Sequence, residues 1–306
     1  MTPVTNAHTH LELTDLAYLC PTEPISFAAW MGRLVWHLRR RSKAQTQAAI
    51  SQGIAELKAC GTTHVGDITN TWLSVEPLLT SDLQGIVYLE VLGHNRNRAL
   101  RRLDQTKRKI DQVRRHPNYG PIQIGLSIHS PYSCHPELLQ AGAKWCRAED
   151  VPFCLHVAES PAETELLLTG KISSLRWPLV PLLKLSKILP ASVPHLRPIQ
   201  YLADLGVLDA QPLLIHAVQV TDEDIDLIAE TGCAVVHCPR SNERLSCGRM
   251  PLERYLAAGV PVYLGTDSRA SSPSLDVQAE AKFAQQLHSG LVNPLKVMEL
   301  IHQPFP

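Results

Sequence analysis

Eight short apolar segments recur along this chain of 306 residues, and segments with helical periodicity separate them. The apolar segments span 4–10, 63–68, 86–92, 122–128, 152–158, 212–217, 233–237 and 261–266. Such runs are typical of strands buried on both faces of a parallel sheet. The helical segments span 42–59, 95–116, 135–148, 161–169, 222–231, 251–258, 274–289 and 293–302. Eight strands alternating with helices predict an α/β fold, and the chain length favours a closed (β/α)8 barrel of the TIM type over two doubly wound domains.

The segment 171–205 interrupts this alternation after the fifth predicted strand. It contains Trp177 and prolines at 178, 181, 190, 194 and 198. Insertions in the loops that follow barrel strands often cover an active site. We therefore expect residues 1–306 to form a single barrel domain with a lid-like insertion at 171–205. A surface excursion without a role in binding is the alternative.

The charge balance indicates which partners to expect. Lys and Arg together number 29, as do Asp and Glu, so the formal net charge is zero. This argues against a broad surface for nucleic acid or membrane, and we expect the run Arg39-Arg40-Arg41 to lie on a solvated helix face rather than to bind phosphate. No apolar run approaches the roughly 18–20 residues that cross a bilayer, and no signal-peptide pattern is present. Eight scattered cysteines without a CxxC motif are typical of reduced thiols, so we expect a cytoplasmic protein.

Histidines and carboxylates stand at the ends of the predicted strands, where a barrel carries its catalytic groups. They are His8 and His10 at the end of the first strand, His129 after the fourth, His156 and Glu159 at the fifth, His216 at the sixth, His237 at the seventh and Asp267 at the eighth. A single histidine in such a place is usually a hydrogen-bonded core residue. So many on one rim are costly to bury unless they share a partner, and a metal ion is the simplest one. Imidazoles with a carboxylate suit a divalent ion such as Zn²⁺, with Fe²⁺ or Mn²⁺ as alternatives.

Five motifs carry a resemblance to a known family. NAHTHLE, HVAES, IHAVQVT, HCPRSN and LGTDS occur in this order and resemble those of the amidohydrolase superfamily, in its deaminase and chlorohydrolase branch. Within the branch, HCPRSNERL and GTDSRASSPSLDV are most similar to aminofutalosine deaminase-like sequences. The resemblance implies that one metal ion is held by His8, His10, His156 and Asp267. It also implies catalytic roles for Glu159, His216 and Asp267, and substrate contact by His129.

The activity implied by this resemblance is the hydrolysis of a C–N bond. The first expectation is hydrolytic deamination of an adenine-type nucleoside or a related heteroaromatic amine, a small molecule. A chlorohydrolase or a cyclic amide hydrolase of the same superfamily is the alternative, as is a truncated, inactive barrel that retains the metal site. The fourth strand offers no Lys or Glu that could bridge two metal ions, so a dinuclear centre is not expected. Homo-oligomerisation is left open.

The sequence also departs from the family pattern. Members of this branch usually carry further segments before the first motif and after the eighth strand, and these build a small β-sandwich. Here seven residues precede His8 and the chain stops at Pro306, so we expect most of the sandwich to be missing, in a barrel-only homologue or a fragment. Three further expectations stay open. Ser241 and Asn242 are expected either to shape the rim of the site or to cap a turn. Arg269 is expected either to bind an acidic group of the substrate or to reach solvent. His237 is expected to have a packing role.

Overall fold

The computed structural model describes residues 2–172 and 193–305. All eight predicted strands occur, each with bounds within two residues of the prediction. The strands are β1 (Thr5–Thr9), β2 (His64–Thr69), β3 (Gln84–Val91), β4 (Ile122–Ile128), β5 (Phe153–Val157), β6 (Leu213–His216), β7 (Ala234–His237) and β8 (Val262–Leu264). Most of the expected lid at 171–205 lies outside the described residues, and its last part contains the helix Pro198–Asp204.

The strands form one parallel sheet in the order β1 to β8. The two outer strands then approach each other, because the backbone N–H of Asp267 donates to the carbonyl of His8 at 3.0 Å. Buried Asn6 adds a side-chain link. Its Nδ2 donates to Thr266 Oγ1 at 2.9 Å, and its Oδ1 accepts from the Thr266 N–H at 3.1 Å. The sheet is therefore a nearly closed barrel surrounded by helices, and the predicted (β/α)8 fold is confirmed.

Twelve α-helices occur in the described residues. They are α1 (Phe27–Leu38), α2 (Lys43–Ala59), α3 (Val75–Leu79), α4 (Arg96–Val113), α5 (Pro136–Glu149), α6 (Pro161–Thr169), α7 (Pro198–Asp204), α8 (Asp222–Thr231), α9 (Pro239–Arg244), α10 (Leu252–Ala257), α11 (Val277–Leu287) and α12 (Pro294–Glu299). Short 3₁₀ helices span Leu11–Leu19 and Leu208–Ala210. Several starts are capped as the sequence suggests. Thr221 and Asp224, for example, form a reciprocal capping box at α8.

Helix α1 was not predicted, and its position corrects one expectation. Only Trp30 and Leu34 of α1 are buried, so its apolar residues do not follow the pattern of a helix packed on the main core. The basic run lies at the end of this helix and in the following turn rather than on a helix face. Arg41 Nη2 lies 2.5 Å from Asp15 Oδ1, and the Arg40 guanidinium stacks 3.8 Å above the Trp36 ring centroid. Two of the three arginines therefore contact neighbouring protein side chains.

The core has an inner and an outer part. Inside the barrel lie mainly side chains from alternating strand positions: Ala7, Ile68, Ile86, Tyr88, Cys154, Leu213, Ile215, Val236, Cys238 and Tyr263. A larger cluster fills the space between the sheet and the surrounding helices. A third, smaller cluster joins α1 and the first 3₁₀ helix to the loops after β7 and β8, and the indole Nε1 of Trp30 donates to the carbonyl of Ala270 at 2.8 Å. These contacts hold α1 against the loops that follow β7 and β8.

Two further expectations concern parts outside the barrel. Residues 2–172 and 193–305 contain no sheet besides the barrel, and the expected lack of most of the β-sandwich stays a prediction. A search of the same residues found no helix both long and apolar enough to cross a membrane.

Candidate metal and catalytic site

The four predicted metal ligands lie together where the strands end. His8 Nε2 is 3.4 Å and His10 Nε2 is 3.7 Å from Asp267 Oδ1. His10 Nε2 is also 3.3 Å from His156 Nε2. The ligand atoms of the three histidines all lie within 4.8 Å of one another. Strands β1, β5 and β8 thus bring four separated donors into one small volume.

The state of these histidines tests whether the site fits a cation. The His8 side chain is 1% exposed, yet neither ring nitrogen has a hydrogen-bond partner among the described residues. Burial lowers the pKa of His10 to about 3, and nearby His8 adds to the effect. Burial and the adjacent His8 also hold the pKa of His156 well below its usual value. Neutral imidazoles with free lone pairs, beside a carboxylate, are the donor set that a divalent metal such as zinc prefers.

Asp267 is held so that one oxygen faces the histidines. Its Oδ2 accepts hydrogen bonds from the hydroxyls of Ser241 and Ser271, each at 2.7 Å, which leaves Oδ1 towards His8 and His10. Burial alone would raise the pKa of Asp267, but the adjacent imidazoles hold it well below its usual range. Asp267 also has a backbone φ of +59°, in the left-handed region that residues other than glycine rarely adopt. Such strain tends to persist at functional positions.

His156 is oriented by a contact from the neighbouring loop. Its Nδ1 lies 3.0 Å from the carbonyl oxygen of His129, so Nδ1–H donates to that oxygen. The lone pair is then on Nε2, the atom that faces His10. Histidines that bind metals are usually fixed in this way, with the second ring nitrogen donating to a carbonyl or carboxylate.

Glu159 and His216 form a second pair beside these residues. His216 Nε2 lies 3.5 Å from Glu159 Oε1, and Asn242 Nδ2 contacts His216 Nδ1 at 3.1 Å. Burial raises the pKa of Glu159 well above its usual value, and the charges of Asp267 and Glu163 raise it further. Glu163 also accepts hydrogen bonds from the backbone N–H of Glu159 at 2.9 Å, which fixes the turn after β5. A carboxyl group with a raised pKa can hold and release a proton near neutral pH.

His129 lies beside this pair, at the end of β4. Its Nδ1 is 2.7 Å from Ser133 Oγ, and burial lowers its pKa to about 4. With Nδ1 held by Ser133, the other ring nitrogen is left for a bound molecule. Contact between His129 and a substrate stays a prediction.

A cavity of about 800 Å³ opens in front of these groups. One end is formed by the site residues His10, His129, His156, Glu159, His216 and Asp267. Apolar side chains of α1 also line the cavity, namely Phe27, Trp30, Met31, Leu34, Val35 and Leu38. Asn70 and Thr71 in the loop after β2, and Glu90 of β3, contribute polar side chains to the lining. The volume and the mixed lining are typical of a site for a small molecule.

Three residues of the site were not predicted. Glu163 could have been recognised, because Ser160 and Glu163 have the spacing of a capping box. Ser271, four residues after Asp267, gave no signal beyond its place in a serine-rich loop. Glu90 is the one charged residue in β3, next to its last residue, so a buried carboxylate there was visible but was not interpreted.

The structure also shows the contacts of the four residues whose roles were left open in the sequence analysis. Ser241 and Asn242 contact Asp267 and His216, so they support the site rather than only capping a turn. Arg269 does not line the cavity, because its guanidinium contacts Glu56 at 3.2 Å and the carbonyl of Ser272 at 3.1 Å. His237 also lies outside the cavity, with its Nε2 3.2 Å from His288 Nε2.

Comparison with known proteins identifies a family for the chain. The model of the Amidohydrolase family matches residues 4–301. The chain belongs to the amidohydrolase family. This amidohydrolase is 36% identical to the aminodeoxyfutalosine deaminase of Deinococcus radiodurans, over 94% of the chain and 68% of the relative. It is 28% identical to the 5-methylthioadenosine/S-adenosylhomocysteine deaminase of Nitratidesulfovibrio vulgaris, over 94% of the chain and 60% of the relative. The chain thus spans about two thirds of the length of these relatives.

Solved structures show the fold of this amidohydrolase. Helicobacter pylori aminofutalosine deaminase, in complex with methylthio-coformycin, superposes with a TM-score of 0.82 at 24% identity, over 98% of this chain and 71% of that one. Atrazine chlorohydrolase from Arthrobacter aurescens, complexed with zinc, gives a TM-score of 0.75 at 19% identity, over 98% and 66%. At these identities the likeness concerns the barrel alone.

Proposed function

We propose that the chain is a metal-dependent hydrolytic deaminase of an adenine-type nucleoside or a related heteroaromatic amine. The observation that carries the proposal is the convergence of His8, His10, His156 and Asp267 beside the Glu159–His216 pair, at one end of a cavity. Relatives named deaminases of aminodeoxyfutalosine, 5-methylthioadenosine and S-adenosylhomocysteine support an adenine-type substrate. We also propose a cytoplasmic location, in keeping with eight free cysteines.

The proposed ligands of a single divalent ion are His8, His10, His156 and Asp267, and we propose Zn²⁺. In such a site a bound water would have its pKa lowered towards neutrality by the ion, which would supply a hydroxide nucleophile. The unpartnered nitrogens of His8, the closeness of the three histidines and the carboxylate of Asp267 beside them support this choice. Iron and manganese would use the same donors.

The protein side chains would move the protons. Asp267 accepts the proton that the attacking water loses, and His216 holds the attacking oxygen in place while the new C–O bond forms. Glu159, whose pKa is raised by burial, donates a proton to the ring nitrogen next to the attacked carbon. Glu159 then takes up the proton of the new hydroxyl group and passes it to the departing amine, so that a carbonyl forms, the C–N bond breaks and ammonia leaves. The proton held by Asp267 returns to Glu159 and restores the starting state. His129 would contact the heterocycle.

The test is a metal analysis of the purified protein together with a panel of substrates. Adenine nucleosides, cytosine, guanine and amino- and chlorotriazines are each incubated with the enzyme, and ammonia and chloride are measured. We expect at least one equivalent of divalent metal and ammonia from an adenine nucleoside. Chloride from a triazine, without ammonia from any nucleoside, would favour the chlorohydrolase alternative. A bound metal without any turnover would favour an inactive metal-binding barrel.

A further inference from the structure

Strand β1, which carries the first proposed metal ligands, is irregular where it pairs with β2. Asn6 stands opposite Val65, and Thr9 stands opposite Asp67. Three steps along β1 thus match two steps along β2, so β1 holds one extra residue between Asn6 and Thr9. This is the arrangement of a β-bulge, a feature that is common at the rims of barrels and can redirect a side chain. His8 lies in this bulge.

The bulge changes the direction of the side chains around it. In a regular strand, neighbouring side chains point to opposite faces of the sheet. Ala7 packs in the cluster inside the barrel, so a regular β1 would turn His8 outwards. Instead the ring centroid of His8 lies 4.8 Å from that of His10 and 5.1 Å from that of His156. The bulge therefore lets His8 and His10 face the same position as His156.

Hydrogen bonds to the ring do not orient His8 as they orient His156. His156 is fixed through Nδ1, which donates to the carbonyl of His129 at 3.0 Å. Within the described part of the chain, neither ring nitrogen of His8 has a hydrogen-bond partner, and its neighbour Asp267 is itself a proposed ligand. The direction of the His8 side chain therefore depends on the backbone of the bulge. Whatever holds the bulge also orients this ligand.

A buried carboxylate of β2 holds the chain next to the bulge. Asp67 is fully buried, and its Oδ1 accepts a hydrogen bond from the backbone N–H of Leu11 at 2.8 Å. This N–H belongs to the peptide group that joins His10 to Leu11. The hydroxyl of Thr9 lies 3.2 Å from the same carboxylate oxygen and 3.1 Å from the carbonyl oxygen of Gly66. The chain is therefore fixed to β2 on both sides of His10, directly after the bulge.

We propose that Asp67 is a positioning residue, which holds the bulge of β1 so that His8 and His10 point together at the metal position. This inference rests on the metal site of the proposed function. A buried carboxylate that only stabilises the fold would lower the free energy of unfolding when it is removed, but the folded protein would keep its affinity for zinc. The affinity of the folded protein for the metal therefore separates the two roles.

The experiment measures the Kd for zinc of the metal-free, folded protein, by competition with a chromophoric chelator. Asp67→Ala removes the acceptor, and its Kd should rise by about 10- to 100-fold, as is typical when the support of a metal ligand is lost. Asp67→Asn keeps an oxygen that can accept both hydrogen bonds, so its Kd should stay near that of the wild type. Circular dichroism shows that each variant is folded, and urea unfolding gives its stability.

Asp224→Ala is the matched control, because it removes another fully buried carboxylate. Asp224 Oδ2 accepts hydrogen bonds from Arg197 Nε and from the backbone N–H of Thr221, each at 2.9 Å, and so holds the start of α8 rather than β1. Its removal should lower the free energy of unfolding but leave the Kd for zinc unchanged. An equal weakening of zinc binding in Asp224→Ala and Asp67→Ala would make general loss of stability the cause and overturn the proposal.

Two further results would also overturn the proposal. One is an unchanged Kd in Asp67→Ala, and the other is an equal loss in Asp67→Asn, because the charge of the carboxylate would then matter rather than its hold on the chain. If Asp67→Ala does not fold, Thr9→Val decides. It removes one hydrogen bond to β2 and nearly keeps the shape of the side chain, so the Kd should rise by roughly 2- to 12-fold, the size of one net hydrogen bond. An unchanged Kd in Thr9→Val rejects the proposal.

Failure of the proposed function gives a different pattern. A wild type that binds no zinc would reject the metal site, and this inference with it. A wild type that binds zinc without turnover would reject the deaminase, whereas a weaker affinity in Asp67→Ala would still support the role of Asp67. Ammonia release from the zinc-loaded wild type, with equal Kd values in the wild type and in Asp67→Ala, would reject this inference alone.

Discussion

His8 and His237 show what can be read from a single residue. Both lie near the carboxyl end of a barrel strand, and both are almost fully buried. His8 faces Asp267 and the proposed metal position, whereas His237 contacts His288 outside the cavity. The sequence predicts that each histidine lies at a strand end, but the face that each side chain takes depends on the strand register. The resemblance to the family separated the two, and periodicity alone would not have done so.

The first prediction concerns the proposed metal ligands. His156→Ala removes one of only four donors and leaves a space that no other side chain fills, so the metal content of the purified protein should fall to near zero. Metal content is measured by elemental analysis after gel filtration. His302→Ala is the matched control, because this histidine is exposed and bonds the carbonyl of Pro3 far from the site, and it should keep its metal. Unchanged metal in His156→Ala would remove this residue from the ligand set.

The second prediction concerns proton transfer. Glu159→Gln keeps the size of the side chain but cannot exchange a proton, so kcat should fall by about 10²–10⁴-fold. The metal content should stay unchanged, because Glu159 is not among the proposed ligands. Ammonia release under saturating substrate gives kcat, and elemental analysis gives the metal. Turnover close to that of the wild type would exclude Glu159 from the mechanism.

At the scale of elements, the strands were easier to predict than the helices that build the cavity. Buried parallel strands are nearly continuous apolar runs, and all eight were recognisable. Helices α2, α4 and α5 pack on the sheet and carry the expected periodicity. Helix α1 and the short α3, α7 and α9 were not predicted. Much of α1 faces the cavity instead of the core, so its sequence does not carry the usual periodicity. The shape of the binding cavity therefore was not accessible from local sequence patterns.

The third prediction tests the close approach of neighbouring strands. Gly66 lies in β2, and a Cβ added there would be 2.3 Å from the carbonyl oxygen of Ala7 in β1. Because backbone atoms cannot move aside as a side-chain end can, Gly66→Ala should lower the free energy of unfolding by about 1–3 kcal/mol or more. Urea unfolding followed by circular dichroism measures the change.

Gly32→Ala is the control for this prediction. Gly32 lies in α1, and a Cβ added there meets no atom within 4 Å. Alanine favours a helix over glycine by about 0.5–1 kcal/mol, so the same substitution should raise stability at this position. Equal effects of the two substitutions would contradict the packing argument for Gly66.

At the scale of the whole molecule, the proposed metal site joins strands from both ends of the chain. The alternation of strands and helices predicted one barrel, and the barrel predicted that polar strand ends would meet, so the location of the site followed from the fold. The hydrogen bonds of Asn6 across the β1–β8 junction could not be predicted, because they depend on how the barrel closes. The segment 173–192 is outside the described residues, so a lid at this place stays a prediction.

The fourth prediction follows from this arrangement. A metal bound by His8, His10, His156 and Asp267 links β1, β5 and β8, so its removal should destabilise the entire barrel rather than one loop. A ligand present at about 100 times its Kd stabilises a protein by about 2.7 kcal/mol. The melting temperature should therefore fall when a chelator is added and recover when zinc is restored in excess. An unchanged melting temperature, with metal loss verified by elemental analysis, would show that the site contributes nothing to stability.

The junction between β1 and β8 also has a consequence for how the protein is made. Asn6 and Thr266, which join these strands, are 260 residues apart in the chain. During synthesis the first strand therefore leaves the ribosome long before its second neighbour exists, and it pairs on one side only until the last strand emerges. Contacts between such distant positions form slowly. A nascent chain should thus gain the proposed zinc-binding ability late, at about the moment when residue 267 is released.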